Sequence, residues 1–174
     1  MHGKRGYTII ELLVVLAVVG IAASIAVPAW RQLDASSRLG AHVALYAQAL
    51  HTARTLAVSS GRHVSLCPLD ANGRCDGNWD QDLTLFYDDA RRGELVEPGD
   101  AIALVAIPGN ERMDVRWNGF GERRFLNVRS TGRYRQNGRF RFCPHGQVAG
   151  SIAQGRAIVV NVTGRTRVEK TTCP

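Results

Sequence analysis

The sequence lacks the residue sets on which enzymatic catalysis depends. Its 174 residues include no paired carboxylates, no nucleophile with its base and no phosphate-binding loop, so we do not expect an enzyme. No long internal repeat or low-complexity tract stands out. Apolar residues make up 45% of the chain, which excludes wholesale disorder. The length suits one domain of about 100 to 150 residues with an appendage.

Metal-binding motifs are missing as well. The chain contains four cysteines, Cys67, Cys75, Cys143 and Cys173. They form no Cys-x-x-Cys pair, which disfavours a zinc site. Residues 76–82 space their oxygen ligands like a calcium loop, but Gln81 replaces the required glycine and Tyr87 the required acid. We therefore expect neither a metal nor a cofactor.

The net charge of +7 is unevenly distributed. Residues 31–111 hold seven Arg against eleven acidic residues, for a net −4, whereas residues 112–174 hold twelve Arg and one Lys against three acidic residues, for a net +10. Such asymmetry is typical of proteins that bind polyanions, although the solvated surface of any basic protein would look the same. Charge alone does not separate the two interpretations.

The N-terminus joins a short basic lead, residues 1–6, to a long apolar run. Residues 12–30 carry no charge, and these nineteen residues are about the length of a helix that crosses a membrane. The basic lead should stay in the cytoplasm, which places the chain after Trp30 on the far side. Glu11 interrupts the apolar run at its start, and an unpaired carboxylate in lipid is costly enough to suggest a function.

Residues 6–15, Gly-Tyr-Thr-Ile-Ile-Glu-Leu-Leu-Val-Val, resemble the prepilin signature of type IV pilins and type II secretion pseudopilins. The resemblance implies that a prepilin peptidase cleaves between Gly6 and Tyr7 and methylates the new N-terminus, although the family usually has Phe at the position of Tyr7. Glu11 matches the family residue that pairs with the amino terminus of a neighbouring subunit during assembly, so that opposite charges compensate each other's burial. The alternative is a plain signal anchor.

The resemblance also implies a location. The protein would cross the inner membrane once, with its soluble domain in the periplasm, and would assemble with other pilin and minor pilin subunits into a pilus or pseudopilus. We accordingly divide the chain into a leader (1–6), a transmembrane and assembly half of the N-terminal helix (7–30), an amphipathic half (31–61) and a β-rich soluble domain (62–174).

Beyond Trp30 the pattern becomes amphipathic. Apolar residues recur at Leu39, Val43, Tyr46, Leu50, Ala53 and Ala57. This spacing predicts a helix with one buried stripe, which continues the membrane helix and ends near Gly61. From Arg62 onward, short apolar runs alternate with turn signals. We therefore predict an α+β, type IV pilin-like fold, in which a long N-terminal helix packs on a C-terminal antiparallel β-domain.

The candidate strands are residues 64–67, 83–87, 102–107, 115–117, 125–128, 139–143 and 157–162. Residues 118–119 and 137–138 are both Asn-Gly and are candidate hairpin turns. Thr163-Gly164 would begin a last strand that ends near Glu169.

An even number of cysteines in an exported domain suggests two disulfides, with three possible connectivities. Proximity favours Cys67 with Cys75 and Cys143 with Cys173. The second pair would close a loop of about 31 residues, worth roughly 3 to 4 kcal/mol in the loop-entropy description, and would tie the C-terminus to the sheet.

The soluble part resembles the GspH/FimT family of minor pilins and pseudopilins. The matching stretches are residues 67–79, 85–88, 130–133, 137–138, 142–143 and 157–168. Residues 164–167 look like the Gly-Arg-x-Arg motif that is associated with DNA binding in FimT proteins serving natural transformation. The chain is closest in motif to this branch of the family.

The motif has a physical basis. Arg165 and Arg167 in an extended segment point to the same side, about 6.5 to 7 Å apart, close to the spacing of successive phosphates. Gly164 permits the turn that presents them. Guanidinium groups bind phosphate without reading bases, so the resulting affinity should depend on salt and not on sequence. Lys170 could extend this patch.

A second set of candidate DNA contacts comprises Arg133, Arg135, Arg139 and Arg141. If residues 137–138 formed a hairpin turn, these side chains would gather on one ribbon, where like-charge repulsion favours a bound anion. The alternative is ordinary exposed arginine on an edge ribbon, where charge discourages sheet aggregation.

Two functions follow from these features. The first is a minor pilin of a type IV pilus that binds extracellular DNA non-specifically for uptake in natural transformation. The second is a structural subunit without DNA binding, either a tip or priming minor pilin (FimU-like) or a minor pseudopilin of a type II secretion system. In the second case the partners are other minor subunits only.

Overall fold

The computed structural model describes residues 8–107, 113–144 and 154–173. Within them the order of elements is α1 (Ile9–Ser60), β1 (Val64–Cys67), β2 (Leu83–Tyr87), a short 3-10 helix (Pro98–Asp100), β3 (Ala101–Val105), β4 (Met113–Gly119), β5 (Leu126–Val128), β6 (Gly138–Pro144), β7 (Gln154–Val160) and β8 (Thr166–Thr172). The chain divides after Arg38 into two compact units. The first unit contains the apolar part of α1, and the second begins at Leu39.

The described part of the first unit is a helix without a core. None of its residues is buried, and large apolar side chains are exposed along the helix from Ile9 to Leu33. Pro28 lies inside the helix and has no N–H to donate to the carbonyl one turn earlier. By length and composition, α1 is the one helix among the described residues that could cross a membrane. The apolar surface of this helix is therefore available to lipid or to other subunits.

The second unit begins with the amphipathic part of α1. The predicted stripe is confirmed, since Leu39, Val43, Tyr46, Leu50, Ala53 and Ala57 are all buried. The helix ends at Ser60, one residue before Gly61. Small residues occupy the end of the stripe, which lets the β-structure approach the helix closely.

Two antiparallel four-stranded sheets complete the second unit. The first sheet has the order β3-β2-β1-β5, and the second has the order β4-β6-β7-β8. β1 is buried along its whole length, as expected for a strand inside a sheet with both faces covered. The predicted fold class is confirmed: one long helix is followed by a C-terminal antiparallel β-domain.

Aromatic rings join the helix to the second sheet. The ring centroid of Tyr46 on α1 lies 5.6 Å from that of Phe140 and 4.9 Å from that of Phe142, both on β6. Trp79 and Trp117 contact Phe140 from other sides, at 4.8 and 4.6 Å. The hydroxyl of Tyr46 donates to the backbone carbonyl of Trp79. Burial raises the pKa of Tyr46, so its hydroxyl keeps the proton that it donates.

The two Asn-Gly pairs are not hairpin turns, contrary to the prediction. Gly119 ends β4 and faces Gly138 at the start of β6 in the antiparallel register. A Cβ on Gly119 would lie 2.5 Å from the ring of Trp117, and one on Gly138 would lie 2.6 Å from it. Both glycines are therefore required because a Cβ at either position would clash with the buried indole of Trp117. The two strands are not joined by a tight turn, since the chain between the glycines contains β5.

Both disulfides join the pairs that proximity favoured. Cys67 is bonded to Cys75, and Cys143 on β6 is bonded to Cys173 after β8. The second bond crosses β7, which lies between those two strands. It passes next to Gly155, where a Cβ would lie 2.5 Å from the Cys173 sulfur. The C-terminal strand is thus covalently fixed to the middle of the second sheet.

Candidate functional site

The start of α1 carries a side-chain cap. The backbone N–H of Glu11 donates to the Thr8 hydroxyl at 3.3 Å, and the N–H of Leu12 donates to the Thr8 carbonyl at 3.2 Å. Thr-x-x-Glu at residues 8–11 is the sequence signal for such a cap, and the sequence interpretation overlooked it. The Glu11 side chain is exposed and forms no ion pair within the described part of the chain. The predicted cleavage and methylation residues, Gly6 and Tyr7, lie outside the described residues.

The predicted motif at residues 164–167 begins in the turn between β7 and β8. The N–H of Gly164 donates to the carbonyl of Asn161 at 2.9 Å, and the N–H of Asn161 donates to the carbonyl of Arg165 at 3.0 Å. Gly164 has φ 89°, a left-handed conformation that glycine adopts without strain. We call residues 161–167 the second arginine segment. Its arginines, Arg165 and Arg167, are both exposed.

An earlier stretch of the chain forms the same turn. The N–H of Gly132 donates to the carbonyl of Arg129 at 2.8 Å, the N–H of Arg129 donates to the carbonyl of Arg133 at 2.9 Å, and Gly132 has φ 75°. Residues 129–135 are called the first arginine segment. Both segments contain Thr-Gly-Arg-x-Arg and expose the two arginines that follow the glycine. The same five-residue pattern thus produces the same backbone turn twice.

The two turns touch at their glycines. A Cβ on Gly164 would lie 2.6 Å from the carbonyl oxygen of Gly132, so no other residue fits there without movement. Arg54 of α1 reaches both turns: its Nη1 donates to the Gly164 carbonyl at 3.0 Å, and its Nε lies 3.2 Å from the Cβ position of Gly132. The fold therefore brings together two arginine segments that are about thirty residues apart in sequence.

Tyr134 fixes the first arginine segment to the core. Tyr134 is buried, whereas its sequence neighbours Arg133 and Arg135 are exposed. Its hydroxyl donates to the Leu50 carbonyl on α1 at 3.1 Å. Burial raises the pKa of Tyr134 to about 12, although the nearby Arg54 charge acts to lower it. The N–H of Arg135 also donates to the Asn127 carbonyl at 2.9 Å. The two arginines consequently lie on a backbone that is anchored both to α1 and to β5.

The outward face of the second sheet carries four arginines. Its cross-strand rows are Asn118–Arg139–Val159–Arg167 and Arg116–Arg141–Ala157–Glu169. The row between them contains the buried residues Trp117, Phe140 and Ile158, so the arginine rows point away from the core, and the small Ala157 is the one buried residue in them. Arg139 and Arg167, from different predicted sets, consequently share a face with Arg116 and Arg141.

Two carboxylates lie among these arginines. Glu169 Oε1 is 3.7 Å from Arg139 Nη1, and its Oε2 is 3.4 Å from Arg167 Nη2. Asp114 pairs with Arg116 at 2.8 Å and raises the Arg116 pKa through that hydrogen bond. Because the arginine of each pair is more than half exposed, these ion pairs are weak, and a phosphate can compete with the carboxylate.

The register does not bring every predicted contact to this face. Lys170 faces Arg156 across β7 and β8, in a row that alternates with that of Glu169, so it lies on the opposite side of the sheet from Arg167. The Cβ position of Gly40 on α1 is 3.7 Å from Arg156 Nη1, which identifies that side as the helix side. Lys170 therefore does not extend the Arg167 row.

The predicted ribbon of four arginines is wrong. Arg133 and Arg135 belong to a segment that bridges β5 in the first sheet, through Val128 and Tyr134, whereas Arg139 and Arg141 lie on β6 in the second sheet. The prediction failed because residues 137–138 do not form a turn. The first arginine segment instead approaches the second one through the Gly132–Gly164 contact.

Three arginines of the surface escaped the sequence interpretation: Arg54, Arg116 and Arg129. The repeated Thr-Gly-Arg could have indicated that Arg129 occupies the same turn position as Asn161. No local signal marks Arg54, because its contact with Gly164 spans 110 residues. Arg116 becomes part of the face only through its register with Arg141.

Family comparisons agree with this architecture. The profile described as "Type II transport protein GspH" matches residues 42–164, and the profile described as "Prokaryotic N-terminal methylation motif" matches residues 1–27. A fimbrial protein of Pseudomonas aeruginosa is 34% identical over 133 residues, which cover 68% of this chain and 86% of that protein.

Solved structures with a similar fold include the type IV minor pilin FimU of Pseudomonas aeruginosa in two crystal forms. The form in space group P21 has a TM-score of 0.55 and 20% identity, and covers 80% of this chain and 90% of FimU. The form in space group P65 has a TM-score of 0.51 and 21% identity, and covers 75% and 90%. At this level of identity the likeness shows the fold alone.

Proposed function

The chain belongs to the GspH family of minor pilins and pseudopilins, and we propose that it is a minor pilin of a type IV pilus that binds DNA without sequence preference. In this proposal the arginine segments and the outward face of the second sheet hold the phosphates of extracellular DNA for uptake in natural transformation. The protein acts by binding and not as an enzyme.

One observation carries the DNA-binding proposal: two Thr-Gly-Arg-x-Arg turns with the same pattern of backbone hydrogen bonds meet at Gly132 and Gly164. A single exposed arginine pair is common on protein surfaces. Two such turns in contact bring two exposed pairs of arginines to the same region of the fold, and Arg54 adds a further charge between them. Such a concentration of guanidinium groups suits a polyanion with closely spaced phosphates.

The binding mode follows from the chemistry of the side chains. Guanidinium groups donate paired hydrogen bonds to phosphate oxygens, and these contacts carry no base information. Binding releases condensed counterions, so each phosphate contact contributes about 0.9 to the slope of log affinity against log salt. We expect similar affinities for unrelated sequences and a steep loss of affinity as salt increases.

The test is a binding titration with full-length protein in detergent and a labelled DNA duplex at several salt concentrations. Arg165→Gln combined with Arg167→Gln should weaken binding about tenfold or more, since about 1.4 kcal/mol corresponds to a factor of ten. The matched control is Arg91→Gln with Arg92→Gln, which removes two exposed arginines of the loop after β2. Equal affinities for the two double variants would refute the assignment, and no binding at low salt would refute the function.

We propose that assembly uses the N-terminal unit, residues 1–38. Prepilin peptidase would cleave after Gly6 and methylate Tyr7, and Glu11 would then pair with the amino terminus of a neighbouring subunit. The exposed apolar surface from Ile9 to Leu33 supports insertion in the inner membrane, with the second unit in the periplasm, followed by packing among pilin helices. Glu11→Ala should leave membrane insertion intact but reduce recovery in sheared filaments, and normal recovery would contradict the pairing role.

The alternative is a structural tip or priming minor pilin, or a minor pseudopilin of a type II secretion system, without DNA binding. The description of the matching family profile favours secretion, whereas the fimbrial relative favours a pilus. In this alternative, the arginine segments are solvated and the double variant assembles and functions normally. Loss of secreted proteins after deletion of the gene would support the pseudopilus and count against the pilus.

A further inference from the structure

Phe120 is an exposed aromatic residue beside the arginine surface. Its side chain is 84% exposed, the highest value for a large apolar residue in the described part of the chain. Its backbone is fixed, because it directly follows β4 and its N–H donates to the Asn137 carbonyl at 3.1 Å. The fold therefore exposes an aromatic side chain to solvent from a fixed backbone position at the end of the second sheet.

A shallow open cavity of about 450 Å³ adjoins this ring. Its polar and aromatic lining consists of Asn118, Phe120, Arg123, Asn137, Arg139 and Asn161. No carboxylate lines it among the described residues. The volume is within the range of small-ligand sites, and the lining combines a flat apolar surface, amide groups and two positive charges. This combination suits a planar heterocycle that is attached to an anionic group.

The cavity is continuous with the second arginine segment. Asn161 both lines the cavity and begins the turn that Gly164 closes, and the N–H of Val162 donates to Asn137 Oδ1 at 2.6 Å. Arg139 lies in the same cross-strand row as Arg167, two strands away, which corresponds to roughly 10 Å. A strand held by Arg165 and Arg167 would therefore pass within one or two nucleotides of Phe120.

We propose that this cavity receives an unstacked nucleobase of a single-stranded or frayed DNA segment, with Phe120 as the stacking surface and with Arg123 and Arg139 holding the adjoining phosphates. The proposal rests on the proposed DNA-binding function and adds the form of DNA that the surface prefers. Aromatic stacking is tolerant of sequence because every base has a π-face. Bases within a duplex are already stacked and must be extruded at a cost before they can enter such a site. The cavity should therefore discriminate single strands from duplexes.

The test compares a single-stranded 20-mer containing 2-aminopurine with its duplex, using full-length protein in detergent at fixed salt. The wild-type protein should quench the 2-aminopurine fluorescence of the single strand. Phe120→Ala should weaken single-strand binding at least about fivefold and abolish the quenching, with duplex affinity changed less than about twofold. Phe120→Trp should retain both the single-strand affinity and the fluorescence quenching. The matched control Leu104→Ala, which truncates another exposed apolar side chain, should behave like the wild type.

The outcomes separate the two proposals. Equal single-strand affinities for wild type and Phe120→Ala, with duplex binding intact, would overturn the base site and leave the DNA-binding function standing. A loss of filament incorporation in Phe120→Ala without any change in DNA binding would overturn the base site and identify Phe120 as a contact with another subunit. If the wild-type protein bound neither the single strand nor the duplex, both proposals would be overturned.

Discussion

The two arginine segments have the same local sequence and the same turn but different surroundings. In the first segment the residue between the arginines is Tyr134, which is buried and bonded to α1. In the second segment it is Thr166, which is exposed at the start of the edge strand β8. The turn is thus determined locally, whereas its anchoring is determined by the rest of the fold. The first segment is anchored by a side chain of its own in the core, whereas the second is held by contacts of its turn with Gly132 and Arg54.

The largest difference should appear when the central residue of each segment is truncated. Tyr134→Ala removes a fully packed ring and the hydrogen bond to Leu50, and we expect it to lower the free energy of unfolding by about 3 to 5 kcal/mol. Thr166→Ala removes an exposed side chain and should cost less than about 0.5 kcal/mol. Thermal unfolding followed by near-ultraviolet circular dichroism would measure both. Equal losses would mean that the two segments are anchored alike.

The glycines should differ in the same experiment. Gly164→Ala combines a left-handed backbone with a clash against the Gly132 carbonyl, which is main chain and cannot move aside, so we expect a loss of about 3 kcal/mol. A Cβ on Gly132 would meet Val58 Cγ2 at 2.9 Å, and a side chain can rotate away, so Gly132→Ala should cost about 1 to 2 kcal/mol. A larger loss of stability for Gly132→Ala than for Gly164→Ala would contradict the view that the main-chain clash at Gly164 is the more severe one.

Arg54 connects the two segments, and its removal should have a smaller effect. Arg54→Gln loses the hydrogen bond to the Gly164 carbonyl, which we expect to cost about 1 kcal/mol. The control is Arg38→Gln on the same helix, where an exposed pair with Asp34 at 2.9 Å should be worth about 0.3 to 0.5 kcal/mol. If both variants lost the same stability, Arg54 would have no special role between the turns.

The smallest expected effect is an increase in DNA affinity when Glu169 is replaced. Glu169 pairs with both Arg139 and Arg167, so Glu169→Gln releases two arginines on the outward face of the second sheet. The first arginine segment has no such carboxylate partner in the described residues. We expect DNA affinity to rise about two- to threefold at low salt, because exposed ion pairs are weak competitors. Weaker DNA binding by this variant would argue against a role for the outward face.

Periodicity and turn chemistry were enough to predict the main elements of the fold. The spacing from Leu39 to Ala57 predicted the buried stripe of α1, and Thr163-Gly164 predicted the turn before the last strand. The Asn-Gly pairs misled because their glycines are required by the ring of Trp117, a contact between strands that local sequence does not encode. An Asn-Gly pair is therefore a reliable turn signal only where the glycine is not required for another reason, such as steric contact with a packed side chain.

The candidate site was predicted in its residues but not in its arrangement. Arg165 and Arg167 were identified through the resemblance of residues 164–167 to a Gly-Arg-x-Arg motif, and alternation along an extended segment put them on one side. The alternation of side chains along β8 was sufficient to put Lys170 on the face opposite to Arg167, because the two are three residues apart, but the prediction did not apply it. Arg54 reaches Gly164 only after the helix packs on the sheets. Register and packing, which are properties of the whole fold, decide which charges share a surface.

The most direct test of a shared DNA surface is the salt dependence of duplex binding by the wild type and by a variant with Arg133, Arg135, Arg165 and Arg167 all changed to Gln. If both segments hold phosphates, the slope of log affinity against log salt should become shallower by about three to four, since each contact contributes about 0.9. An unchanged slope would contradict the claim that the two segments bind DNA.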